Sequence, residues 1–231
     1  MTFISILCFV GTLLAYFLAK KIYAKFPYLI LSPAFLAPIT IITILVLTHV
    51  TYDTYMVDSH WIMWMLGPAT VAFAIPIFEY RQLIREHLVS ISMGVIIGMF
   101  AGMVSAYYLA QLFSFDHTTT ASLMARSIST PFAMELSTRI GGSAELVIVF
   151  TMITGVAGML FGDIVLAVLK LNSRFAQGAS LGNAAHGFGT TKAFIRHKDE
   201  GVIASLTMVL AGVFMVLIGP FMAHFILNVL G

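Results

Sequence analysis

Two polar stretches interrupt a chain that is otherwise strongly apolar. The first, RSISTPFAMELSTRIGG over residues 126–142, carries ionisable groups, serines and threonines between apolar segments. Such groups are costly at membrane depth, so they usually face a cavity or a partner. Their chemistry would be hydrogen bonding and charge pairing with an anion. The alternative is a spanning helix with a proline kink and charges at the membrane interface.

A helix that starts inside this stretch favours the interpretation that the stretch binds an anion. Thr130 followed by Pro131 predicts a hydroxyl at the N-cap and a proline at the first helical position. A helix that begins inside the membrane directs its free N–H groups and its positive dipole end at whatever lies there. Ser129 and Thr130 offer hydroxyls to a carboxylate or a hydroxyl group, and Arg126 adds positive charge one turn earlier.

Glu135, one turn beyond the proline, has two interpretations. It is either a proton-coupling residue or the structural partner of Arg126 or Arg139.

The second stretch is GASLGNAAHGFGTTKAF, residues 178–194. It is too rich in glycine and polar residues for an ordinary spanning helix, and such backbone is tolerated at membrane depth only inside protein or beside a water-filled cavity. We predict a re-entrant hairpin in which Asn183 caps the second half-helix. His186 either binds a carboxylate or carries a proton, or it donates to a backbone carbonyl in a packed hairpin.

The glycines of the second stretch allow close approach of the backbone, either to a ligand or to a neighbouring helix. We therefore expect leucine at Gly187 or Gly189 to abolish activity by crowding, and Gly182 belongs to the same set. Thr190 adds a hydroxyl. Lys192 either neutralises substrate charge or extends to the inner interface.

Composition fixes the class of protein. The chain has 231 residues, of which 60% are hydrophobic and 10% charged, with a mean hydropathy of +0.99. Soluble domains average about 25% charged residues. Several apolar runs approach the length of a membrane span and do not alternate as barrel strands do, which predicts an all-α, polytopic helical membrane protein. The net charge of +2, without a basic patch, argues against nucleic acid.

The remaining chemistry is sparse. Cys8 is the only cysteine, so the chain forms no internal disulfide and no cysteine-based metal cluster. Neither a nucleophile–base pair, nor a phosphate loop, nor metal-ligand spacing occurs, so we expect no enzyme activity, no metal and no cofactor.

The apolar pattern predicts one membrane domain, residues 1–231, with eight segments: 3–19, 28–50, 61–80, 88–112, 122–140, 144–169, 178–194 and 202–229. If 61–80 and 178–194 both re-enter, the chain forms inverted repeats over 1–112 and 121–231. In a second arrangement, 61–80 spans the membrane and 122–140 re-enters. This arrangement places the arginines that follow 61–80 on the cytoplasmic side, which they prefer, but it loses the symmetry of the repeats. A short echo, GMFAG at 98–102 against GMLFG at 158–162, supports a different repeat frame.

Loop charges predict the orientation. Lysines follow the first segment, so the N-terminus is expected outside and that loop inside. Loop 51–60 holds Asp53 and Asp58 without lysine or arginine, as expected outside, whereas loops 170–177 and 195–201 are expected inside.

Three motifs resemble the LrgB family over nearly the whole chain. LGPATVAFAIPIFEY is similar to the family's L-x-P-A-T-V-A-L-A-x-P-L-Y, RSISTPFAMELSTRIGG to K-S-V-T-T-P-I-A-M-E-I-S-x-x-I-G-G, and GASLGNAAHGFGTTKA to G-L-A-L-G-T-A-S-H-A-I-G-T-A-R-A. The departures keep charge or hydrogen bonding except at Ala185, where a hydroxyl is missing.

The resemblance implies two classes of function. Some family members are antiholin- or holin-like proteins that affect murein hydrolase export and cell lysis. Others resemble carriers of small carboxylates, such as the plastid glycolate/glycerate translocator and bacterial pyruvate carriers. The polar stretches favour the second class, because a holin-like regulator needs no charged residues beside a buried helix start.

We therefore predict a multi-pass protein of the cytoplasmic membrane that transports small carboxylates, with a holin-like regulator as the alternative. The expected partners are the carboxylate, membrane lipid, further copies in a homo-oligomer, and a small LrgA-like holin-like membrane protein that the resemblance implies. The predicted substrate-binding residues are Arg126, Ser129, Thr130, Pro131, Glu135, Asn183, His186, Gly187, Gly189 and Thr190.

Overall fold

Helices form all the regular structure in the computed structural model, which describes residues 3–28, 31–72 and 74–230. The all-α prediction is thereby confirmed. The chain divides into two compact units, Met1–Ala69 and Thr70–Gly231. The helices are α1 Phe3–Lys25, α2 Pro33–Leu47, α3 Tyr52–Trp64, α4 Leu66–Ala72, α5 Ala74–Glu79, α6 Arg81–Glu86, α7 Leu88–Leu112, α8 His117–Met124, α9 Thr130–Arg139, α10 Ala144–Val168, α11 Arg174–Arg196 and α12 Lys198–Leu230.

Four of these helices, α1, α7, α10 and α12, are long and apolar enough to cross a membrane, by length and composition. This agrees with a polytopic membrane protein. The predicted span over 28–50 contains the shorter helix α2, whose 15 residues extend about 22 Å. Its start at Pro33 follows the expected preference of proline for the first turn of a helix.

In the N-terminal unit, α1 packs against α2 and α3. The prediction of a loop over 51–60 is wrong, because Tyr52–Trp64 is helical and the hydroxyl of Thr51 accepts a hydrogen bond from the Thr54 N–H at its start. The 61–80 stretch divides into short helices around the boundary between the units, and Phe73 lies outside the described residues. The hairpin expected there stays a prediction.

In the C-terminal unit, α8 and α9 form a first helical hairpin, residues 117–141. The ring of His117, at the start of α8, lies against Gly141, just past α9. Ser122 of α8 accepts from the Ser143 N–H at 2.8 Å, and Ser137 of α9 donates to the Ser143 carbonyl at 3.1 Å. This hairpin therefore supports the second of the predicted arrangements, in which 122–140 re-enters.

The tip of the first hairpin contains a 3-10 turn, Ala125–Ser127, and an extended break at Ile128 and Ser129. The predicted N-cap at Thr130 is wrong by one residue. Ser129 occupies the N-cap, because its backbone is extended while that of Thr130 is already helical. Its side chain makes no capping hydrogen bond.

A second hairpin is formed by α11, whose helical course is broken at His186. Gly189 lies against the Leu181 carbonyl. At the open end, the Arg196 guanidinium donates to the Gln177 side chain at 2.7 Å. A straight helix would hold positions 181 and 189 about 12 Å apart, so the predicted hairpin over 178–194 is confirmed as a reversal of the chain.

The two hairpins approach the middle of α10 from its opposite ends. The base of the first bonds to Ser143, directly before α10. The base of the second pairs with Asp163, near the C-terminal end of α10. The tip of the second reaches Gly155, near the middle. Since α10 extends about 37 Å, the tip of the second hairpin lies far from both ends of this helix.

Glycines allow the second hairpin to lie directly on its neighbours. Gly178 and Gly182 leave no room for a Cβ atom beside the carbonyls of Glu200 and Ala204 in α12. On α10, Gly158 lies against Ala185. These contacts bring helix backbones together, as small residues do in membrane proteins.

The arrangement of long helices and hairpins agrees with the short sequence echo. A spanning helix, α7 or α10, precedes each hairpin, and the echoed glycines lie on these two helices. Gly98 and Gly102 of α7 face hairpin residues, as do Gly158 and Gly162 of α10. The repeats over 1–112 and 121–231 stay a prediction. The positions of the hairpins favour a different pair of repeats, the first of which begins at α7.

We expect Gly182→Ala to destabilise the protein, because the added methyl group meets the α12 backbone, which cannot move aside. Overpacking of this kind costs about 1–3 kcal/mol. The matched control is Gly187→Ala in the same hairpin, where an added Cβ meets no atom within 4 Å. The measurement is the thermal unfolding midpoint of the detergent-purified variants. Equal midpoints for both would contradict the close packing on α12.

Candidate functional site

The two hairpin tips meet beside α7 and α10. The 3-10 turn of the first tip packs against α7, α10 and α11. On α7, Gly102 faces the Ser127 side chain of the first tip, and Gly98, one turn away, faces the Asn183 side chain of the second. One turn of helix rises about 5.4 Å, so side chains from the two tips lie at neighbouring levels of the same helix. The predicted convergence of the two stretches has this geometric support.

His186 forms the tip of the second hairpin in a conformation that favours glycine. Its φ is 38° and its ψ is −123°, and the residue is only 3% exposed. A non-glycine residue held there is strained by about 1–3 kcal/mol, which is typical of functional sites. The break lies at His186 itself, three residues after Asn183. The prediction that Asn183 caps the second half-helix is therefore wrong: its amide donates instead to the Gly94 carbonyl of α7 at 3.2 Å.

Four buried polar atoms on these contacting elements have no hydrogen-bond partner in the described part of the chain: Ser129 Oγ, Thr151 Oγ1, Asn183 Oδ1 and His186 Nε2. They come from the first tip, from α10 and from the second tip. Buried polar groups are normally satisfied, so each such atom requires an explanation. The four atoms are therefore candidates for hydrogen bonds to a ligand or to water.

Arg126 supplies positive charge to the first tip. Its guanidinium is partly buried and donates to the Leu123 carbonyl of its own turn at 3.1 Å. No carboxylate pairs with it among the described residues. An arginine with free donors is suited to bidentate binding of a carboxylate or phosphate group.

Several predicted site residues lie outside this group. Glu135 is exposed and forms a surface ion pair with Arg139 at 2.7 Å, which is the structural alternative given for it. Gly187 is exposed and has open space at its Cβ position, so the crowding expected for leucine there lacks support. Gly189 is as crowded as expected. Thr190 is buried and donates to the sulfur of Met208 at 3.8 Å.

Thr130 and Pro131 are half-buried in the first turn of α9. They hold that helix start beside the turn, and α9 itself packs on α12, where Gly212 faces Phe132 and Gly219 faces Leu136.

Lys192 is engaged at the base of the second hairpin. It pairs with Asp163 at 2.7 Å and donates to the Met159 carbonyl at 2.5 Å. Arg196 also pairs with Asp163, at 2.6 Å, and with Glu200 at 3.0 Å. This network connects the hairpin to α10 and α12.

A polar cavity of about 480 Å³ opens at this base, lined by Asp163, Leu166, Ala167, Lys170, Leu171, Asn172, Gln177 and Arg196.

At the base of the first hairpin, the Thr119 hydroxyl and the N–H groups of Thr118 and Thr119 donate to Asp116. These hydrogen bonds lower the pKa of Asp116, which lies outside the spanning helices.

Thr151 was missed by sequence reasoning. It lies between Phe150 and Met152 in an apolar run, one turn before Gly155 on the same face of α10. The available signal was this i, i+4 spacing of a hydroxyl and a glycine in a spanning helix.

Comparison with known proteins places these features in a family. The model of the LrgB-like family matches residues 12–225. The chain is 36% identical over 217 residues to a Bacillus subtilis protein named Uncharacterized protein YxaC, with 94% of both chains covered. It is 31% identical over 209 residues to the Holin-like protein CidB of Staphylococcus epidermidis, covering 90% of this chain and 91% of that one. For the Holin-like protein CidB of Staphylococcus aureus, the identity is 29% over 209 residues with the same coverage. No solved structure matches.

Substitutions at His186 test the strain at the tip. Both His186→Ala and His186→Gly remove the imidazole, but only glycine adopts the positive φ freely. We expect the glycine variant to be the more stable of the two, by about 1 kcal/mol or more. In a regular helix the order is the reverse, with alanine favoured by about 1 kcal/mol. Thermal unfolding of the two purified variants measures the sign, and a more stable alanine variant would contradict the tip conformation.

Proposed function

The chain belongs to the LrgB-like family, and we propose that it is a holin-like membrane protein that regulates murein hydrolase export and cell lysis. The observation that carries this proposal is the similarity to the Holin-like protein CidB of two staphylococci over 90% of this chain. Four helices within the described residues are long and apolar enough to span a membrane, which supports it. This is the alternative function given from the sequence. The relatives favour it over carboxylate transport, which none of the names given above mentions.

The hairpins offer a physical route to regulation. Two tips that meet from opposite ends of α10 can separate without unfolding a spanning helix. Separation breaks few hydrogen bonds, because four of the polar atoms around the tips make none in the described structure. The ion pairs of Asp163 would keep the base of the second hairpin in place during this movement. In this proposal the holin-like protein opens and closes where the two tips meet.

A second candidate, the carrier of small carboxylates, is favoured by one specific observation. Arg126 has no carboxylate partner among the described residues and lies in the same tip as the unpartnered Ser129 hydroxyl. In this candidate a small organic anion accepts hydrogen bonds from the guanidinium and from the Ser129 hydroxyl of the same tip. In this candidate the tips open alternately around the bound anion, as in transporters built from broken helices.

Two assays separate the candidates. In cells, induced expression should change the release of murein hydrolase, measured by zymography of the medium, and the rate of lysis, measured by turbidity. In proteoliposomes, saturable uptake of labelled glycolate, pyruvate or lactate would favour the carrier, whereas leakage of unrelated solutes would favour a holin-like pore. The holin-like proposal is wrong if expression changes neither hydrolase release nor lysis.

Arg126→Gln should reduce the uptake of small anions, because the carrier candidate uses the positive charge at the tip. Loss of hydrogen bonds to a charged group costs about 1.5–3 kcal/mol, which is roughly a tenfold or larger loss of anion affinity. The matched control is Arg139→Gln in the exposed pair with Glu135, which should leave activity within about twofold, since exposed ion pairs contribute about 0–1 kcal/mol. Equal losses of activity in both variants would show that Arg126 has no specific role in the site.

A further inference from the structure

The carboxyl group of Asp58 is buried in the N-terminal unit. The residue is 4% exposed, and the Ser5 hydroxyl donates to its Oδ2 atom at 2.5 Å. Ser5 itself is fully buried, on the face of α1 that packs against α3. Asp58 therefore does not lie in an outside loop, as its sequence context suggested, but in a helix–helix contact.

No fixed cation neutralises this carboxylate within the described part of the chain. Residues 1–69 contain three lysines and no arginine, and the lysines lie at the far end of α1 from Ser5. Lys20, the nearest, is fifteen positions further along α1, which is about 22 Å. None of the ion pairs among the described residues includes Asp58.

The other polar groups on the two packed helices do not supply a fixed positive charge. The Thr12 hydroxyl lies 3.2 Å from the Tyr55 hydroxyl, one turn before Asp58. His60 is charged only when protonated, and its Nδ1 contacts the Val57 carbonyl at 2.5 Å. The titratable and charged side chains on α1 and α3 are Cys8, Tyr16, Lys20, Lys21, Tyr23, Lys25, Tyr52, Asp53, Tyr55 and His60.

We propose that Asp58, together with Ser5, binds an exchangeable monovalent cation, either a proton or a sodium ion. An ionised carboxylate that is removed from water without a cation is strongly disfavoured, and one hydroxyl donor does not neutralise its charge. The described residues contain no group of three or more His, Cys, Asp or Glu side chains able to hold a metal ion, which argues against a divalent metal. This site lies in the other compact unit from the hairpins, and it does not depend on the proposed function.

Labelling with a hydrophobic carbodiimide tests the proposal on the full-length protein in detergent or liposomes. The reagent adds to a protonated carboxyl group and remains attached, so mass spectrometry locates the adduct. Asp53, exposed in the first turn of the same helix, is the matched control. We expect the adduct on Asp58 and at least tenfold less on Asp53 at the same neutral pH.

Two series of conditions identify the cation. If the cation is a proton, labelling of Asp58 falls as the pH is raised and is unchanged by sodium. If it is sodium, addition of sodium chloride at fixed pH and ionic strength protects Asp58 at least severalfold, and choline chloride does not. Labelling of Asp58 that responds to neither pH nor sodium, or that equals labelling of Asp53, would overturn the proposal.

A second readout covers the case in which the reagent fails to reach the site. Infrared spectra of the wild-type protein and of Asp58→Asn, titrated from acid to alkaline pH with and without sodium, should differ by one carboxyl group. The wild type should show a carboxylic acid band or a sodium-sensitive carboxylate band that the variant lacks. If Asp58→Asn does not fold, Ser5→Ala replaces it, with a shifted carboxyl band expected. Spectra unchanged by either substitution would show that Asp58 binds neither cation.

Discussion

A backbone that leaves helical geometry inside a membrane must find its hydrogen-bond partners within the protein. The C-terminal unit meets this constraint by enclosing each break between long helices. The reversal at His186 is possible because Gly178 and Gly182 let the first half of the hairpin lie on α12, while Gly158 lets its tip reach α10. The break before α9 is enclosed in the same way, with Gly102 of α7 against Ser127. The positions of the polar tip residues follow from these contacts.

The enclosed tips are where the protein departs from ordinary packing. The base of the second hairpin is well satisfied, since Asp163 pairs with both Lys192 and Arg196. The tips and the adjacent face of α10 combine a strained histidine, an arginine without a carboxylate and four polar atoms without partners in the described structure. A protein that needed these hairpins only for stability would gain from replacing such groups by apolar ones. Their presence favours a tip region that binds or opens, which both proposed functions require.

The sequence predicted most of the elements that hold the site. Segment 88–112 coincides with α7, and 144–169 differs from α10 by one residue, because polar or turn-forming residues bound each apolar run. The glycines of 178–194 indicated a hairpin correctly. The position of its tip could not be predicted, because a positive φ at histidine is imposed by surrounding packing and not by local preference. Asp58 was misplaced because α3 mixes polar and apolar residues and has no helical periodicity to distinguish it from a loop.

The central claim is that the two tips meet at the middle of α7 and α10, and disulfide trapping in a Cys8→Ser background tests it most directly. A Cβ atom at position 102 would lie 3.5 Å from that of Ser127, which is within the range of disulfides. Gly102→Cys with Ser127→Cys should therefore cross-link rapidly, as should Gly98→Cys with Asn183→Cys, because Gly98 faces the Asn183 side chain of the second tip. Gly94→Cys with Ser127→Cys, displaced by about 12 Å along α7, should not. Efficient cross-linking of the control pair, or none in the two test pairs, would contradict the meeting of the tips.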